Sequence, residues 1–594
     1  MMLVAFFVVS ATFAQQDKRL KGIEKELKEI LEVTQAAGFA VAVVEGDEII
    51  YAEGFGFRDI ENKLPVDENT LFAIGSCSKA FTSSILGKLR AEDKLSFDDS
   101  PLKYVPDLKF YNDEMNNNII IKDLMCHRTG LPRHDISWYL FPSNYKDSLV
   151  QRIEFQEPFT GVRQQWYYNN FMFLLQGVIA EHISGKSWED NIREQLFIPL
   201  EMTRSNLSIE ELENSTNAAV GYELKHDSVI SKMDYYRIAG MSPAGSINSS
   251  VKDMSNWLIT WINNGKFQDK DILPKAYVNE AIGSQMVVSQ RLPDVEYPDI
   301  HLLNYGYGWF ISSYKSHYLV AHGGNIDGFS ANTMFFPTDS IGIVVLANQN
   351  GSAVPLLVSR VISDRMLKLD DTDWVGYYME QMEKARKVEQ DASVDKDYNN
   401  IKNTRPSHIL MDYKGSYSNP GYGSFTITLD NDSLFAKFKL RTYYLRHMHY
   451  DVFEPLQVTS SGIDTLNDGN WRFNFITDNS GTISNVNINV EPMLDAIEFK
   501  HKPDIIDIDP ATLKAYVGDY EIAGGEVKIY IKDEKVLCLY VEGQPEYELV
   551  PSGKHTFNFK ALEGFKVEFI ESPDQTINEL ILIQPQGNYK AVKK

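Results

Sequence analysis

Ser76 and Lys79 stand three residues apart in the stretch Gly75-Ser76-Cys77-Ser78-Lys79. Residues at this spacing share one face of a helix, so a helix beginning here would set an ammonium beside a hydroxyl. An adjacent amine is one way to make a serine nucleophilic. The same short pattern also occurs as a capped helix with an exposed lysine, so a catalytic role requires further groups elsewhere in the chain.

A second proton-handling group is available in Trp166-Tyr167-Tyr168-Asn169-Asn170. In an extended segment, residues two apart point the same way. A phenol there could relay a proton, and an amide could hold a substrate carbonyl. From the residues alone, Tyr167 with Asn169 and Tyr168 with Asn170 fit equally, and an aromatic cluster of this kind is also typical of a core.

A third stretch, His322-Gly323-Gly324, follows the predicted strand Tyr318–Ala321. Glycines on a strand mark a close approach of another backbone or of a ligand. A donating side chain followed by bare backbone suits an edge that pairs with a peptide-like substrate. A histidine in a turn is the alternative interpretation of this segment alone.

Ser76 is placed by a predicted loop-to-helix junction. Upstream, the apolar run Phe39–Val44, a turn at 45–47 and the run Glu48–Ala52 predict a β-hairpin. Downstream of Lys79 the apolar residues follow helical spacing. A helix N-terminus offers unpaired N–H groups and a positive dipole end, which favour an anionic oxygen near Ser76.

Helices are predicted between strands at the two ends of residues 20–370. The predicted helices cover residues 18–35, 99–104, 121–127, 171–183 and 251–263, and late strands cover 318–321, 331–336 and 341–348. Strands at both ends with helices between them predict one antiparallel sheet with a helical insertion. The predicted fold class is α+β.

Composition narrows the class of protein. The chain has 594 residues, 43% of them hydrophobic, and a net charge of −24. This length predicts several domains, and the negative charge argues against a nucleic-acid partner. The three cysteines, Cys77, Cys126 and Cys538, form neither a disulfide framework nor a metal-binding spacing.

The N-terminal apolar run, Leu3–Phe13, ends at Ala14 and is followed by polar residues. It is shorter than the ~20 residues that span a bilayer. We expect residues 1–14 to be a signal peptide, which predicts a periplasmic or secreted protein, although the run lacks a charged start and could instead be a buried strand. No other stretch is long and apolar enough to cross a membrane.

The C-terminal part is predicted to be a charged helical linker, 371–405, and two β-modules, 406–505 and 506–594. The two modules are similar to each other, because the motif Leu410-x-x-Tyr413-x-Gly415-x-Tyr417 of the first recurs in the second as Leu513-x-x-Tyr516-x-Gly518-x-Tyr520. Alternating strands follow each copy and predict small antiparallel sandwiches or barrels. His447 and His449 lack a third ligand nearby, so we expect no metal site there.

Taken together, the three motifs described above, called boxes from here on, resemble those of the serine β-lactamase and penicillin-binding protein superfamily, in its class C-like branch. The similarity covers about residues 20–370 and rests on three boxes in the family's order, Ser76-Cys77-Ser78-Lys79, Tyr168-Asn169-Asn170 and His322-Gly323-Gly324. Supporting stretches are His127–Pro132, Pro243–Gly245, Tyr305–Trp309 and Phe171–Leu175, the last of which favours the Tyr168 register. The β-tail resembles, more loosely, lipocalin-like modules.

The resemblance implies roles for these residues. Ser76 would be the acylated nucleophile, with Lys79 and Tyr168 sharing the role of base, and no metal or organic cofactor would be needed. Asn170, His322 and Gly324 would bind substrate. The backbone N–H groups of Ser76 and Asn325 would form the oxyanion hole.

The third box departs from the family, because penicillin-binding relatives usually have lysine at the position of His322. A histidine attracts a carboxylate less, and its charge is expected to vary near pH ~6–7. We therefore expect an acyl-enzyme hydrolase of esters, amides or D-peptides. The alternatives are a sensor that acylates without turnover, or a true β-lactamase or D-Ala-D-Ala carboxypeptidase.

The partner expected for the hydrolase is a small molecule or a peptide. The β-modules could bind peptide, glycan or lipid, cover the mouth of the active site, or join chains into an oligomer. The sequence does not choose among these roles.

Overall fold

The computed structural model describes residues 17–225, 229–289, 291–293, 295–396, 400–459, 462–465, 471–479, 481–502, 508–522, 524–533, 535–562 and 564–594. The predicted signal peptide, 1–14, lies outside the described residues. Contacts divide the chain into two compact units, one comprising residues up to 138 with 142–393 and the other 139–141 with 394–594. Within the described residues, no helix is long and apolar enough to cross a membrane.

The first unit is built on a nine-stranded antiparallel sheet that joins both ends of the predicted domain, as the sequence indicated. Its strands, in spatial order, are Met286–Val287, Asn304–Tyr305, Phe310–Tyr314, His317–Ile326, Phe329–Phe336, Ile341–Ala347, Gly38–Glu45, Glu48–Asp59 and Leu64–Pro65. The central pairing sets Val41 opposite Val345. The α+β fold class is confirmed.

Both faces of the central strand are covered, which explains its unbroken apolar run. Phe39, Val41 and Val43 pack into the same cluster as the helices Glu24–Val33 and Val354–Met366. On the other face, the helix Val251–Ile262 approaches Gly342 and Val44 so closely that a Cβ on Gly342 would lie 2.7 Å from Val44 Cγ2 and 3.0 Å from Ile262 Cδ1. A strand buried on two faces shows no alternation of apolar and polar residues.

Along the chain, most of the remaining helices of this unit lie between its N-terminal strands and its C-terminal strands. They are Ser78–Ala91, Asp113–Asn118, Ile121–Met125, Asp135–Tyr139, Lys146–Val150, Asn170–Ser184, Trp188–Ile192, Ile209–Glu213, Ser242–Gly245, Lys275–Ala281 and Trp374–Lys396. The segment predicted as a helix over 99–104 forms only a 3₁₀ turn, Pro101–Lys103, which Ser100 caps. It stops there because Pro106 has no N–H to extend a helix and disfavours helical backbone at Val105.

The helix Trp374–Lys396 begins inside the predicted linker, and its first residue is not solvated. Trp374 is 1% exposed and packs with the helix Val354–Met366. Its indole N–H donates to Asp364, whose carboxylate also accepts from Tyr314 Oη and Lys315 Nζ, each within 2.8 Å. The start of this helix is therefore part of the core of the first unit.

The second unit contains two closed antiparallel barrels. The strands of the first are Gly415–Asn419, Gly423–Asp430, Ser433–Lys437, Thr442–His449, Val452–Thr459, Phe473–Thr477, Ile483–Ile488 and Ile497–Lys502, with Gly462–Ile463 attached at one side. The second barrel comprises Gly518–Ile522, Gly525–Lys532, Val536–Val541, Tyr547–Pro551, Thr556–Phe559, Lys566–Glu571, Ile577–Gln584 and Gly587–Lys593.

The sequence repeat has a structural counterpart in both barrels. In the first, the Tyr417 hydroxyl donates to the Tyr413 carbonyl, and in the second Tyr520 donates to Tyr516, each at 2.9 Å. All four rings are buried. The repeated tyrosines therefore fasten each incoming segment to its first strand. A register shift separates His447 from His449, and the described residues contain no cluster of three or more metal-binding side chains.

Candidate active site

Ser76 lies in a 3₁₀ turn, Gly75–Cys77, that continues into the helix Ser78–Ala91. This turn and the strand His317–Ile326 approach each other through two glycines. Gly75 has φ +50°, and a Cβ on it would lie 2.9 Å from the Asn325 nitrogen. A Cβ on Gly324 would lie 1.9 Å from the Ile74 oxygen and 3.2 Å from the Ser76 nitrogen. The backbone nitrogens of Ser76 and Asn325 are therefore neighbours.

Gly324→Ala is expected to disrupt this approach. The added methyl would overlap the Ile74 carbonyl, so strand and turn would separate, at a cost of roughly 1–3 kcal/mol in the free energy of unfolding. Misplacing one backbone donor of an oxyanion hole typically lowers turnover about 10²- to 10³-fold. Thermal denaturation and ester hydrolysis of the purified variant would measure both effects.

Gly323→Ala is the matched control for stability. The nearest atom to a Cβ at this position is the Ala331 oxygen, at 3.7 Å, so its melting temperature is expected to stay close to that of the wild type. Equal loss of stability in the two variants would contradict the close approach described here.

Lys79 is fully buried one turn along from Ser76. Its Nζ lies 3.1 Å from Ser76 Oγ and donates to Asn170 Oδ1 and to the Ala244 carbonyl, each at 2.8 Å. Burial, reinforced by the positive charge of Arg133, holds the pKa of Lys79 well below its ordinary value. The desolvated environment that a lysine base needs is present in the structure.

Tyr168 and Asn170 face this lysine. Lys79 Nζ lies 4.8 Å from the centroid of the Tyr168 ring. Burial raises the pKa of Tyr168, and its hydrogen bond with Ser76 only partly offsets the effect, so the residue remains a phenol at neutral pH.

The alternative register places Asn169 elsewhere. Its Oδ1 accepts the Met172 N–H, and its Nδ2 donates to the Pro132 carbonyl. Asn169 therefore caps the helix Asn170–Ser184, and it is Asn170 that reaches Lys79.

Asp135 was not anticipated from the sequence. Its Oδ1 accepts from Asn170 Nδ2 and from Trp138 Nε1, each at 2.8 Å, while its Oδ2 accepts from Arg133 Nε at 2.6 Å. Because a carboxylate only accepts, it fixes the Asn170 amide with its oxygen toward Lys79. The Arg133 guanidinium in turn lies 4.9 Å from the centroid of the Tyr168 ring.

His127 also supports Tyr168, although the sequence offered it only as part of a supporting stretch. Its ring is buried and lies 4.4 Å from that of Tyr168 between centroids. Its Nδ1 accepts the Asn169 N–H at 3.2 Å. The backbone of His127 has φ +55°, in the left-handed region, where histidine is found more often than most non-glycine residues. His127 therefore holds both the ring and the backbone of the tyrosine segment.

His322 is buried beside the cleft, with Nε2 2.9 Å from the Tyr305 hydroxyl and Nδ1 2.6 Å from the Gly323 carbonyl. Since a carbonyl only accepts, Nδ1 carries the proton and Nε2 accepts from Tyr305. Burial, and then the nearby Lys79, lower the pKa of His322 to about 3. The expectation that its charge varies near pH ~6–7 is therefore wrong, because the sequence did not reveal this burial.

The catalytic candidates open onto a cleft of about 810 Å³. Ser76, Tyr168, His322, Gly324 and Asn325 all line it. The Asn325 side chain is fixed by the Ser330 hydroxyl and the Gly351 N–H, both of which donate to its Oδ1. The structure thus brings together the residues of the Tyr168 register, namely Ser76, Lys79, Tyr168, Asn170, His322, Gly324 and Asn325.

Comparisons with known proteins matched two parts of the chain. A family model described as Beta-lactamase matches residues 23–360, and one described as Domain of unknown function (DUF3471) matches residues 399–501. Protein flp of Staphylococcus aureus (strain N315) is 27% identical over 343 residues, 57% of this chain and 65% of that protein. The chain therefore spans slightly less than two thirds of that relative.

Two further comparisons extend beyond the first unit. The Unguisins hydrolase ungD' of Aspergillus campestris (strain IBT 28561) is 27% identical over 445 residues, 72% of this chain and 80% of that protein. The octameric penicillin-binding protein homologue from Pyrococcus abyssi has a TM-score of 0.53 at 22% identity, covering 80% of this chain and 99% of that chain. Structural similarity at this level of identity shows the fold alone.

Proposed function

The chain belongs to the Beta-lactamase family, and from that premise we propose that it is a serine hydrolase that forms an acyl-enzyme on Ser76. The observation that carries the proposal is the buried Lys79 amine, 3.1 Å from Ser76 Oγ with its pKa held well below the ordinary value. A neutral amine at this distance can accept the serine proton.

In the acylation step, Ser76 Oγ attacks the carbonyl carbon of the substrate while its proton passes to Lys79. The negative charge that develops on the carbonyl oxygen meets the backbone N–H groups of Ser76 and Asn325. The tetrahedral intermediate then collapses, the bond to the leaving group breaks, and the departing oxygen or nitrogen takes a proton from Tyr168. Lys79 restores that proton to Tyr168.

Deacylation uses the same groups in reverse. A water molecule attacks the Ser76 ester and gives its proton to the Lys79–Tyr168 pair, and the proton returns to Ser76 Oγ as the acid leaves. Asn170 holds the lysine in place through the amide orientation that Asp135 imposes. In this scheme Lys79 accepts the first proton, because the raised pKa of Tyr168 keeps the phenol protonated at neutral pH.

The substrates we propose are esters, amides or D-peptides. The neutral His322 argues against the penicillins and D-Ala-D-Ala tails that a cationic third box would attract. The name of one relative, Unguisins hydrolase, supports hydrolysis as the reaction class.

Trapping the intermediate tests the proposal. Incubation of the full chain with an activated ester, followed by rapid acid quench and peptide mass spectrometry, should show the acyl adduct on Ser76 and not on Ser78. Turnover without any adduct on Ser76, even at the shortest quench times, together with full resistance to a serine-directed phosphonate, would reject the acyl-enzyme.

The time course of product release from the same ester separates the proposal from its rival, a sensor that acylates without turnover. A burst of one equivalent with no steady state would support the sensor.

We further propose that the protein is periplasmic or secreted, from the apolar segment Leu3–Phe13. We also propose that the β-modules serve recognition or assembly.

A further inference from the structure

One side of the cleft around Tyr168 is aromatic. Trp166, Tyr167 and Phe310, called here the aromatic wall, line the cleft and are partly exposed. Ring centroids of Trp166 and Phe310 lie 5.7 Å apart, and Trp166 lies 6.2 Å from Tyr168. Phe310 also packs against His322 at 5.2 Å. The aromatic wall therefore adjoins Tyr168, the residue that would protonate the leaving group.

The cleft also lacks an unpaired charge among its described lining residues. Arg133 is the lining residue with a permanent charge, and its guanidinium is paired with Asp135 at 2.6 Å. His322 engages both ring nitrogens, one with Tyr305 and the other with the Gly323 carbonyl. A carboxylate placed against the aromatic wall would lose hydration there. The one permanent cation of the described lining, Arg133, already shares its charge with Asp135, so it repays less of that cost than an unpaired cation would.

We infer that the leaving group is an uncharged alcohol or amine carrying an aromatic or bulky apolar group, which packs on the aromatic wall. The inference rests on the proposed function, because Tyr168 marks the leaving-group side only if it protonates the departing atom. The same cleft has polar strand and loop residues, such as Asn325, Ser330 and Asn332, which this inference leaves for the acyl side of the substrate.

The test uses the full chain and four esters of N-acetylglycine: methyl, benzyl, 4-carbamoylbenzyl and 4-carboxybenzyl. The acyl group is constant, so kcat/KM compares leaving groups up to the point where they depart. Burying a phenyl ring is expected to favour benzyl over methyl about 10- to 100-fold. The carbamoyl and carboxyl esters match in size, and the carboxyl ester is expected to react at least ~10-fold more slowly.

Two variants test whether the aromatic wall causes the preference for the benzyl ester. Trp166→Ala is expected to reduce the benzyl-to-methyl ratio to below ~3, because the ring loses its packing surface. Leu356→Ala, which changes an exposed apolar residue of the cleft outside the aromatic wall, should keep the wild-type ratio. The 4-carbamoylbenzyl and 4-carboxybenzyl esters are compared on the wild-type protein. The inference can therefore still be refuted if the Trp166→Ala protein does not fold.

The outcomes distinguish this inference from the proposed function. Turnover that requires Ser76 but shows equal kcat/KM for benzyl and methyl esters, or a preference for the carboxyl ester, overturns the leaving-group inference alone. Turnover that survives Ser76→Ala overturns the proposed function and, with it, this inference.

Discussion

Replacing Ser76 with alanine is expected to lower ester turnover roughly 10⁴- to 10⁶-fold, as loss of the nucleophile does in serine hydrolases. The variant should fold, because Ser76 lies partly exposed at the cleft and its loss removes one contact with Lys79. Without Oγ no acyl-enzyme forms, and only transition-state stabilisation by the backbone donors remains. Steady-state hydrolysis with the labelling experiment measures both consequences.

Ser78→Ala is the comparison for this variant. Ser78 is fully buried and its hydroxyl donates to the Gly75 carbonyl, so it supports the turn without reaching substrate. Its variant is expected to keep the adduct on Ser76. If Ser76→Ala retained wild-type turnover, the serine would have no part in the mechanism.

Lys79→Arg is expected to lower kcat/KM roughly 10²- to 10⁴-fold at every pH, the contribution typical of a general base. The substitution puts a permanent cation where the active wild type has a neutral amine, because a guanidinium does not deprotonate in proteins. In the wild type the free amine is the active form, so kcat/KM should rise with pH through the lowered pKa of Lys79 and level off above it. The variant should show a low rate without that rise.

Tyr168→Phe supplies the control. It removes the proton donor and lowers the rate, yet the rise with pH should persist, because Lys79 still titrates. The opposite pattern, in which Lys79→Arg keeps the pH-dependent limb and Tyr168→Phe removes it, would assign the base role to the tyrosine. Melting temperatures of both variants would separate loss of catalysis from loss of fold.

The sequence was sufficient for those features that depend on local pattern. The apolar runs at 39–44 and 341–348 predicted strands, and period-two alternation predicted β-modules. Barrel closure could not be predicted, because it depends on the pairing of the first strand, Gly415–Asn419, with the last, Ile497–Lys502, and on the shear of the whole sheet. The burial of Trp374 was missed because a charged segment follows it.

The site was predictable where a residue sits inside a motif. Ser76, Lys79 and His322 were identified in this way, whereas Asp135 was not, because its contact with Asn170 exists only after distant segments meet. The Ala244 carbonyl that accepts from Lys79 carries no side-chain signal at all. The charge state of His322 depends on burial, which a motif does not record.

The central pairing of the sheet has a consequence for biosynthesis. Val41, made early by the ribosome, has its partner in Val345, made near the end of the hydrolase domain. Until then the first hairpin has one edge without hydrogen-bond partners, and such edges invite aggregation. A chain that ends before residue 341 has the residues of the Ser76 turn but not the strand Ile341–Ala347, so the sheet that carries His322 and Asn325 is complete only when the last part of the domain has been made.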